Sequence, residues 1–393
     1  MPEVFHRREL AEQMTQQLLR PQVLQEALRS GLFLSGVRRT GKSTFLKHDL
    51  IPTLEQAGAI VIYADLWENK DTIAPTGQIL KAVREKLEEL TTPLSAALRA
   101  LRKVVSAEVA AHGLKLKFDL TKLGEAGQVS LAQAFTQLVD EAKTDLVLIV
   151  DEVQECLMDE EGQRLLHALK AARDAVNLRP STPGHFLFVG TGSHRALLQE
   201  MATRRKEAFF GATSHDFPVL GADYVQYLFE RLRRASDTRL PSKAAAIEGF
   251  NELRNRPEDL MIALQTLNHV EASSADPDAV FLGIVAAQRT QQADKELWAL
   301  ERLGPLAEVV FERIASSSGE DARGIYSNEA RTAYANVLGK AVSTEEVQKA
   351  VQALQAENLV MRRGHGAYTV ADPFVRQIWL ERGGPSLPPK GRY

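Results

Sequence analysis

The chain has 393 residues, 44% of them apolar and 25% charged, with a formal net charge of −3. That length allows two or three domains with separate cores, and the composition excludes a fibrous or wholly disordered chain. The balanced charge gives no overall pull toward nucleic acid or an anionic membrane, so any such role must be local.

Arg7 to Arg29 reads as a mixed polar and apolar helical pattern, followed by the apolar run Leu32, Phe33 and Leu34, which predicts a first buried strand ending at Gly36. Residues 42 to 57 read as a helix that Pro52, lacking an amide hydrogen, should kink or interrupt. Ala59 to Leu66 predicts a second strand, and Ile79, Leu80, Val83, Leu87 and Leu90 fall near helical spacing. Gly113 to Leu120 alternates Leu114, Leu116 and Phe118 with lysines, the pattern of a short half-exposed strand. Leu131, Phe135, Leu138 and Val139 mark another helix before the run Leu146 to Val150, which predicts a central strand buried on both faces. A helix with Leu165, Leu166 and Leu169 then leads to a further buried strand, Phe186 to Val189. Strands alternating with helices predict an α/β fold with a parallel, three-layer sheet.

Beyond Pro218 the character changes. Residues 223 to 300 read almost entirely as helices, and three more helical segments follow at about 306–315, 327–338 and 343–357. Two strand-like pieces, Leu359 to Arg362 and Ala367 to Val370, are joined by Arg363, Gly364, His365 and Gly366. Helices followed by a hairpin predict a winged helix. The expected division is a core at 1–220, a helical subdomain at 221–302, a winged helix at 303–382 and a Pro and Gly-rich tail at 383–393.

The segment GVRRTGKST satisfies the pattern G-x-x-x-x-G-K-[ST] between a predicted strand and a predicted helix. This predicts a phosphate-binding loop formed by Gly36, Val37, Arg38, Arg39, Thr40, Gly41, Lys42, Ser43 and Thr44. Its backbone amides would curl around phosphate oxygens, Lys42 would reach the terminal phosphates, and Ser43 would ligate magnesium. In LVLIVDE, Asp151 ends a buried strand at the sheet edge where ligands bind, placing it to hold magnesium, with Glu152 to orient or deprotonate water. In FLFVGTGSH, Thr191, Ser193 or His194 follows the next strand within reach of a terminal phosphate, and Ser193 is preferred. Arg204, Arg205, Arg254 and Arg256 are candidates for stabilising transition-state charge; Arg256 is favoured because it precedes a helix starting at Pro257. The nine histidines form no ligand-spaced pair, and the single cysteine, Cys156, excludes an intramolecular disulfide or a cysteine-rich zinc site. Cys156 is expected to be a small buried hydrophobe. The N-terminal MPEVFHRREL lacks a signal-peptide core and no apolar run approaches membrane length, so a cytoplasmic protein without a membrane partner is expected.

Together FHRREL, GVRRTGKST, LVLIVDE, FLFVGTGSH and YTVADPFVRQIWL resemble the archaeal-type ATPases, a branch of the AAA+ and STAND P-loop proteins. The resemblance implies a parallel P-loop ATPase core, a helical lid and a C-terminal winged helix, with ATP preferred over GTP. It also implies Phe5, Arg7 and Arg8 near the nucleotide base and Ser193 as a polar sensor. Where that family commonly has Gly-Arg, this chain has Gly211-Ala212, and NRPED lacks the family's usual glycines. The expected function is an ATP-dependent switch or adaptor that hydrolyses ATP with magnesium and acts on double-stranded DNA through the winged helix, and a homo-oligomer is compatible with it. The alternative is a STAND-type regulatory ATPase with a protein partner and no DNA contact.

Overall fold

The computed structural model describes residues 4–68, 73–92, 114, 129–235, 239–270, 276–317, 321–364 and 366–383. The strand expected at 113–120 lies outside them except for Leu114, which is buried and donates its amide to the Leu90 carbonyl at 3.0 Å. The tail from 384 onward also lies outside them. The chain divides into two compact units, Met1–Val219 and Leu220–Tyr393.

In the first unit, five strands among the described residues form one parallel sheet in the order β2-β3-β4-β1-β5. They are β1 (Leu32–Ser35), β2 (Ile60–Asp65), β3 (Leu146–Asp151), β4 (Phe186–Gly192) and β5 (Thr213–Asp216). Successive side chains on a strand point to opposite faces, and both faces are covered here, so β3 is apolar without interruption. Leu146, Leu148 and Val150 pack on one side among residues of α4 (Pro75–Thr91), α5 (Leu131–Ala142) and α6 (Glu160–Asn177). Val147 and Ile149 pack on the other among residues of α1 (Arg8–Leu19) and of the helical stretch after the phosphate loop. Ser130 opens α5 with a reciprocal capping box to Gln133, and Asp159 caps α6 through the Gly162 amide at 2.6 Å. Cys156 is buried; burial, then Asp159 and Glu155, push its thiol up to about 12.

Two local features differ from the sequence expectation, and a third gives it a definite form. The helical pattern from 7 to 29 breaks around Pro21, giving α1 and then a 3-10 turn at Val23–Ser30. From Lys42 to Gln56 the chain stays helical, as α2 (Lys42–Phe45), a π-turn (Leu46–Leu50) and α3 (Ile51–Gln56). Pro52 sits in the first turn of α3, directly after the widened π-turn, and Thr53 Oγ1 donates to the Asp49 carbonyl at 2.7 Å. The strand β5 has no apolar run to announce it, because Thr213–Asp216 is a partly exposed edge held by parallel pairing to β1. The first unit continues from β4 into α7 (Arg195–Thr203).

The second unit begins with the helices α8 (Ala222–Ala235), α9 (Lys243–Glu252), α10 (Pro257–His269) and α11 (Pro277–Arg302). There follow α12 (Pro305–Ala315), α13 (Asn328–Leu338), α14 (Thr344–Ala356), an antiparallel hairpin of β6 (Val360–Gly364) and β7 (Ala367–Val370), and α15 (Pro373–Glu381). Three helices and a hairpin, with Ala322 bridging to Tyr368, form the winged-helix arrangement. Its core joins Val310, Phe311, Tyr334, Val347 and Leu354 to Leu297 and Leu300 of α11. The helix α15 is an addition to the elements expected from the sequence pattern.

In the first unit Phe188 is fully buried, stacked on Phe209 at 4.2 Å and edge-on to Phe33 at 5.9 Å. Phe188→Ala is expected to destabilise this unit by about 3–5 kcal/mol, read from urea denaturation of the full chain.

Candidate nucleotide-binding site

The strand order brings the carboxyl ends of β1, β3 and β4 side by side. Ser35 pairs with Gly192, and Val150 pairs with Gly190. Chain entering β1 leaves it for β2, on the far side of β4 and β3, so the loop after β1 opens at a topological switch point. Gly190 and Gly192 permit this closeness: a Cβ on Gly190 would lie 2.7 Å from the Phe33 ring, and one on Gly192 would lie 2.0 Å from Gln154 Oε1.

The phosphate loop runs from half-buried Gly36 through exposed Val37, Arg38 and Arg39 to buried Thr40, whose Oγ1 donates to the Val37 carbonyl at 2.8 Å. Gly41 adopts φ +83° at the N-cap of α2, a conformation that favours glycine, and Thr44 faces solvent. Lys42 is 6% exposed. Its Nζ donates to Asp151 Oδ1 at 2.6 Å and to Thr191 Oγ1 at 3.1 Å, and stands 3.8 Å from Glu152 Oε1. Ser43 Oγ donates to Asp151 Oδ2 at 2.6 Å. Thr191 also donates to Asp151, and Tyr63 OH lies 3.3 Å from Asp151 Oδ2 and 3.4 Å from Asp65 Oδ2. Burial, then Asp151 and Asp65, push the Tyr63 phenol far above its ordinary range, which keeps it a proton donor. Ser43 and Asp151 present neighbouring hard oxygens of the kind that hold magnesium.

Glu152 follows Asp151 in a left-handed conformation, φ +57°. Its Oε2 accepts from the Ser193 amide at 3.3 Å, from Ser193 Oγ at 3.1 Å and from Gln154 Nε2. Ser193 Oγ lies 3.4 Å from His194 Nδ1, and it accepts from Arg38 Nε at 3.2 Å. The fold therefore gathers Lys42, Ser43, Asp151, Glu152 and Ser193 at one sheet edge, and adds Thr191, Tyr63, Gln154 and Trp67. Of these, Tyr63, Gln154 and Trp67 were missed. Gln154 had a signal, since it lies two residues beyond Glu152 in DEVQ.

The remaining candidates are placed differently. Arg7 donates to the Pro218 carbonyl at 2.6 Å and stacks over Phe217 at 5.2 Å and Phe45 at 6.0 Å, which sets the N-terminal segment against the helix that follows the phosphate loop. Phe5 is half-buried and Arg8 exposed. Arg204 is exposed and pairs with Glu200 at 3.4 Å, and Arg205 is exposed. Arg254 and Arg256 belong to the second unit. There Arg254 pairs with Asp372 and Glu296, and Arg256 stands 3.7 Å from Asp259.

Burial alone would raise the Asp151 carboxyl. The Lys42 ammonium, with hydrogen bonds from Lys42, Ser43 and Thr191, more than offsets that and holds it below its usual 3.8. A carboxylate depressed in the folded state adds stability that is complete above the unfolded value and is lost as pH falls through the folded one. The stability difference between wild type and Asp151→Asn is therefore expected to be widest near neutrality and to shrink as the pH is taken below 3.8, followed by urea denaturation across pH.

Residues 25–198 match the sequence model described as an AAA domain. No curated protein matches the chain. Among solved structures it is similar to the Aeropyrum pernix ORC2 protein in its ADP form, at 14% identity, 97% coverage of this chain and 94% of that one, with a TM-score of 0.49. It is similar to the Aeropyrum pernix ORC1 protein in complex with DNA at 16% identity, with 97% and 94% coverage and a TM-score of 0.42. Similarity to a mutant of the Thermotoga maritima RuvB protein is 13%, with 96% and 95% coverage and a TM-score of 0.36. Among the described residues, no helix is long and apolar enough to cross a membrane. An AAA domain thus spans β1 to β4, with a phosphate loop joined to the acid that ends β3.

Proposed function

We propose that this protein is an ATP-dependent switch or adaptor that couples nucleotide turnover in its first unit to double-stranded DNA through the winged helix. The observation that carries the nucleotide half is the set of contacts among Lys42, Ser43, Asp151, Glu152 and Ser193. In this reading the amides of the loop Gly36 to Thr44 cradle the phosphates, and Lys42 leaves Asp151 to bind the terminal ones. Ser43 and Asp151 hold magnesium, which when bound screens the phosphate charge. Glu152 orients the attacking water and takes its proton, and Ser193 senses the terminal phosphate.

The proposed division is an ATPase core at 1–220, a lid at 221–302 and a winged helix at 303–382, with Arg256 as the lid arginine. DNA contact would fall to the hairpin, where Arg362 and Arg363 lie on β6 at its turn end. The acidic residues of α14 have local structural work: Glu346 completes a capping box with Ser343, and Glu345 pairs with Lys349 at 3.0 Å. Those same exposed carboxylates favour a second reading, a STAND-type regulator whose winged helix meets a basic protein surface instead of DNA.

ATP binding and turnover by the full chain, measured at low salt with and without duplex DNA, separate these readings. Lys42→Ala is expected to lose ATP binding, while Glu152→Gln keeps it and lowers kcat about 10²-fold or more. Duplex DNA is expected to raise turnover, with an effect that falls steeply as salt is added. ATP turnover that ignores DNA at low salt would shift the assignment to the protein-partnered regulator.

A further inference from the structure

Arg38 is placed unlike several other arginines of the first unit. Arg173, Arg179, Arg195 and Arg204 each pair with a carboxylate, at 2.7, 2.8, 2.8 and 3.4 Å. Arg38 pairs with none among the described residues, although two acids, Glu152 and Glu155, contact its neighbours. Its Nε donates to Ser193 Oγ at 3.2 Å, and its guanidinium lies over the Trp67 ring at 4.4 Å. Trp67 is itself fixed from two sides: its amide donates to Asp65 Oδ1 at 3.1 Å and its indole N–H to Glu155 Oε1 at 3.2 Å. A cation held by a hydroxyl and an aromatic face keeps its charge unneutralised and its terminal N–H groups available to an incoming anion.

Ser193 joins the two groups, because the same Oγ that accepts from Arg38 donates to Glu152. Arg38 is therefore linked through one hydroxyl to the carboxylate that would activate water. It also belongs to the loop whose Lys42 stands 3.8 Å from that carboxylate. Arg38 and Lys42 thus both stand close to Glu152, one through Ser193 and the other directly.

We propose that Arg38 is a catalytic residue acting within its own chain, supplying the positive charge that stabilises the phosphoryl group in flight, and that Trp67 positions it. This rests on the ATPase reading of the site above. In the step, the water oxygen forms a bond to the terminal phosphorus and its proton passes to Glu152. The bond from that phosphorus to the bridging oxygen breaks, and its electron pair leaves with ADP. The charge spread over the three peripheral oxygens meets Arg38 on one side and Lys42 on the other. No arginine need then be borrowed from Arg204 or Arg205, nor from a neighbouring subunit.

The test compares wild type, Lys42→Ala, Arg38→Ala, Arg38→Lys and Trp67→Ala as full chains, measuring kcat, KM and affinity for ADP with magnesium, alone and with aluminium fluoride. Arg38→Ala is expected to lower kcat about 10²–10³-fold with ADP affinity nearly unchanged. It should also lose the extra affinity that aluminium fluoride, a mimic of the flattened phosphoryl group, gives to wild type. Arg38→Lys should restore part of kcat, and Trp67→Ala should lower kcat without changing ADP affinity. Wild-type turnover that depends on Lys42 but survives Arg38→Ala at full rate would overturn the role of Arg38 alone. So would its loss in Arg204→Ala or Arg205→Ala with Arg38→Ala unaffected. Absence of any Lys42-dependent turnover in wild type would overturn the ATPase reading and this inference with it.

Discussion

The ion pair between Lys42 and Asp151 is the constraint on which the first unit depends. Both groups are buried, and removing either charge from water costs several kcal/mol unless a partner offsets it. Here the offset comes from a 2.6 Å contact, from Ser43 and Thr191 on the carboxylate, and from Tyr63 close by. Those side chains come from the ends of β2, β3 and β4 and from the helix after β1, so the pair forms only when β3, β4 and β1 lie in that order. Strand order and site are two descriptions of one arrangement. In the proposed reading the pair also sets what a nucleotide would do, since its phosphates would have to displace a carboxylate from Lys42, and a multiply charged ligand competes best for that ammonium.

How far the sequence could be read follows from which residues announce themselves. Buried parallel strands must be apolar on both faces, so β1 to β4 appear as continuous runs, and the phosphate loop and Asp151 are fixed at their ends. The edge strand β5 carries Thr213, Ser214, His215 and Asp216, which no apolar pattern marks, because pairing with β1 and not burial makes it a strand. Pro52 signals an interruption through its missing amide hydrogen, and a π-turn lies directly ahead of it, from which the helix continues. Tyr63 was legible as part of a strand but not as a partner of Asp151, since that contact spans β2 and β3 and needs their register. Gln154 and Trp67 are likewise defined by what the fold sets beside them.

In the second unit a single buried carboxylate has a comparable part. Asp372 caps α15 through the Phe374 amide at 2.9 Å while accepting from Arg289 of α11 at 3.1 Å and pairing with Arg254. Arg289 also stacks over Phe374 at 4.4 Å. The helix α11 contributes to both halves of this unit, through Phe281 and Val285 against Gly249 of α9 and through Leu297 and Leu300 in the winged-helix core. The helical segment and the winged helix are thus tied by charge and by a shared helix, so a displacement of one is mechanically felt by the other. Arg254 and Asn255, at φ +58° and +55°, hold the turn before α10 in the left-handed region where glycines are absent. That turn is strained, and the ion pair to Asp372 helps fix it.

Glu152 shows how the site is held ready. Its left-handed backbone costs about 1 kcal/mol or more for a residue with a Cβ, and such strain persists where surrounding contacts enforce it. The enforcing contacts converge on one oxygen: Oε2 accepts from the Ser193 amide, Ser193 Oγ and Gln154. Gln154 is fully buried, and its own Oε1 finds no hydrogen-bond partner, so it spends its place in the core on this single donation. The other oxygen, Oε1, faces Lys42 at 3.8 Å and, in the proposed reading, is the atom left for water. As the proposed base, a carboxylate fixed through one oxygen and open at the other would need no reorganisation when a phosphate arrives, only that Lys42 turn from Asp151 to the new anion.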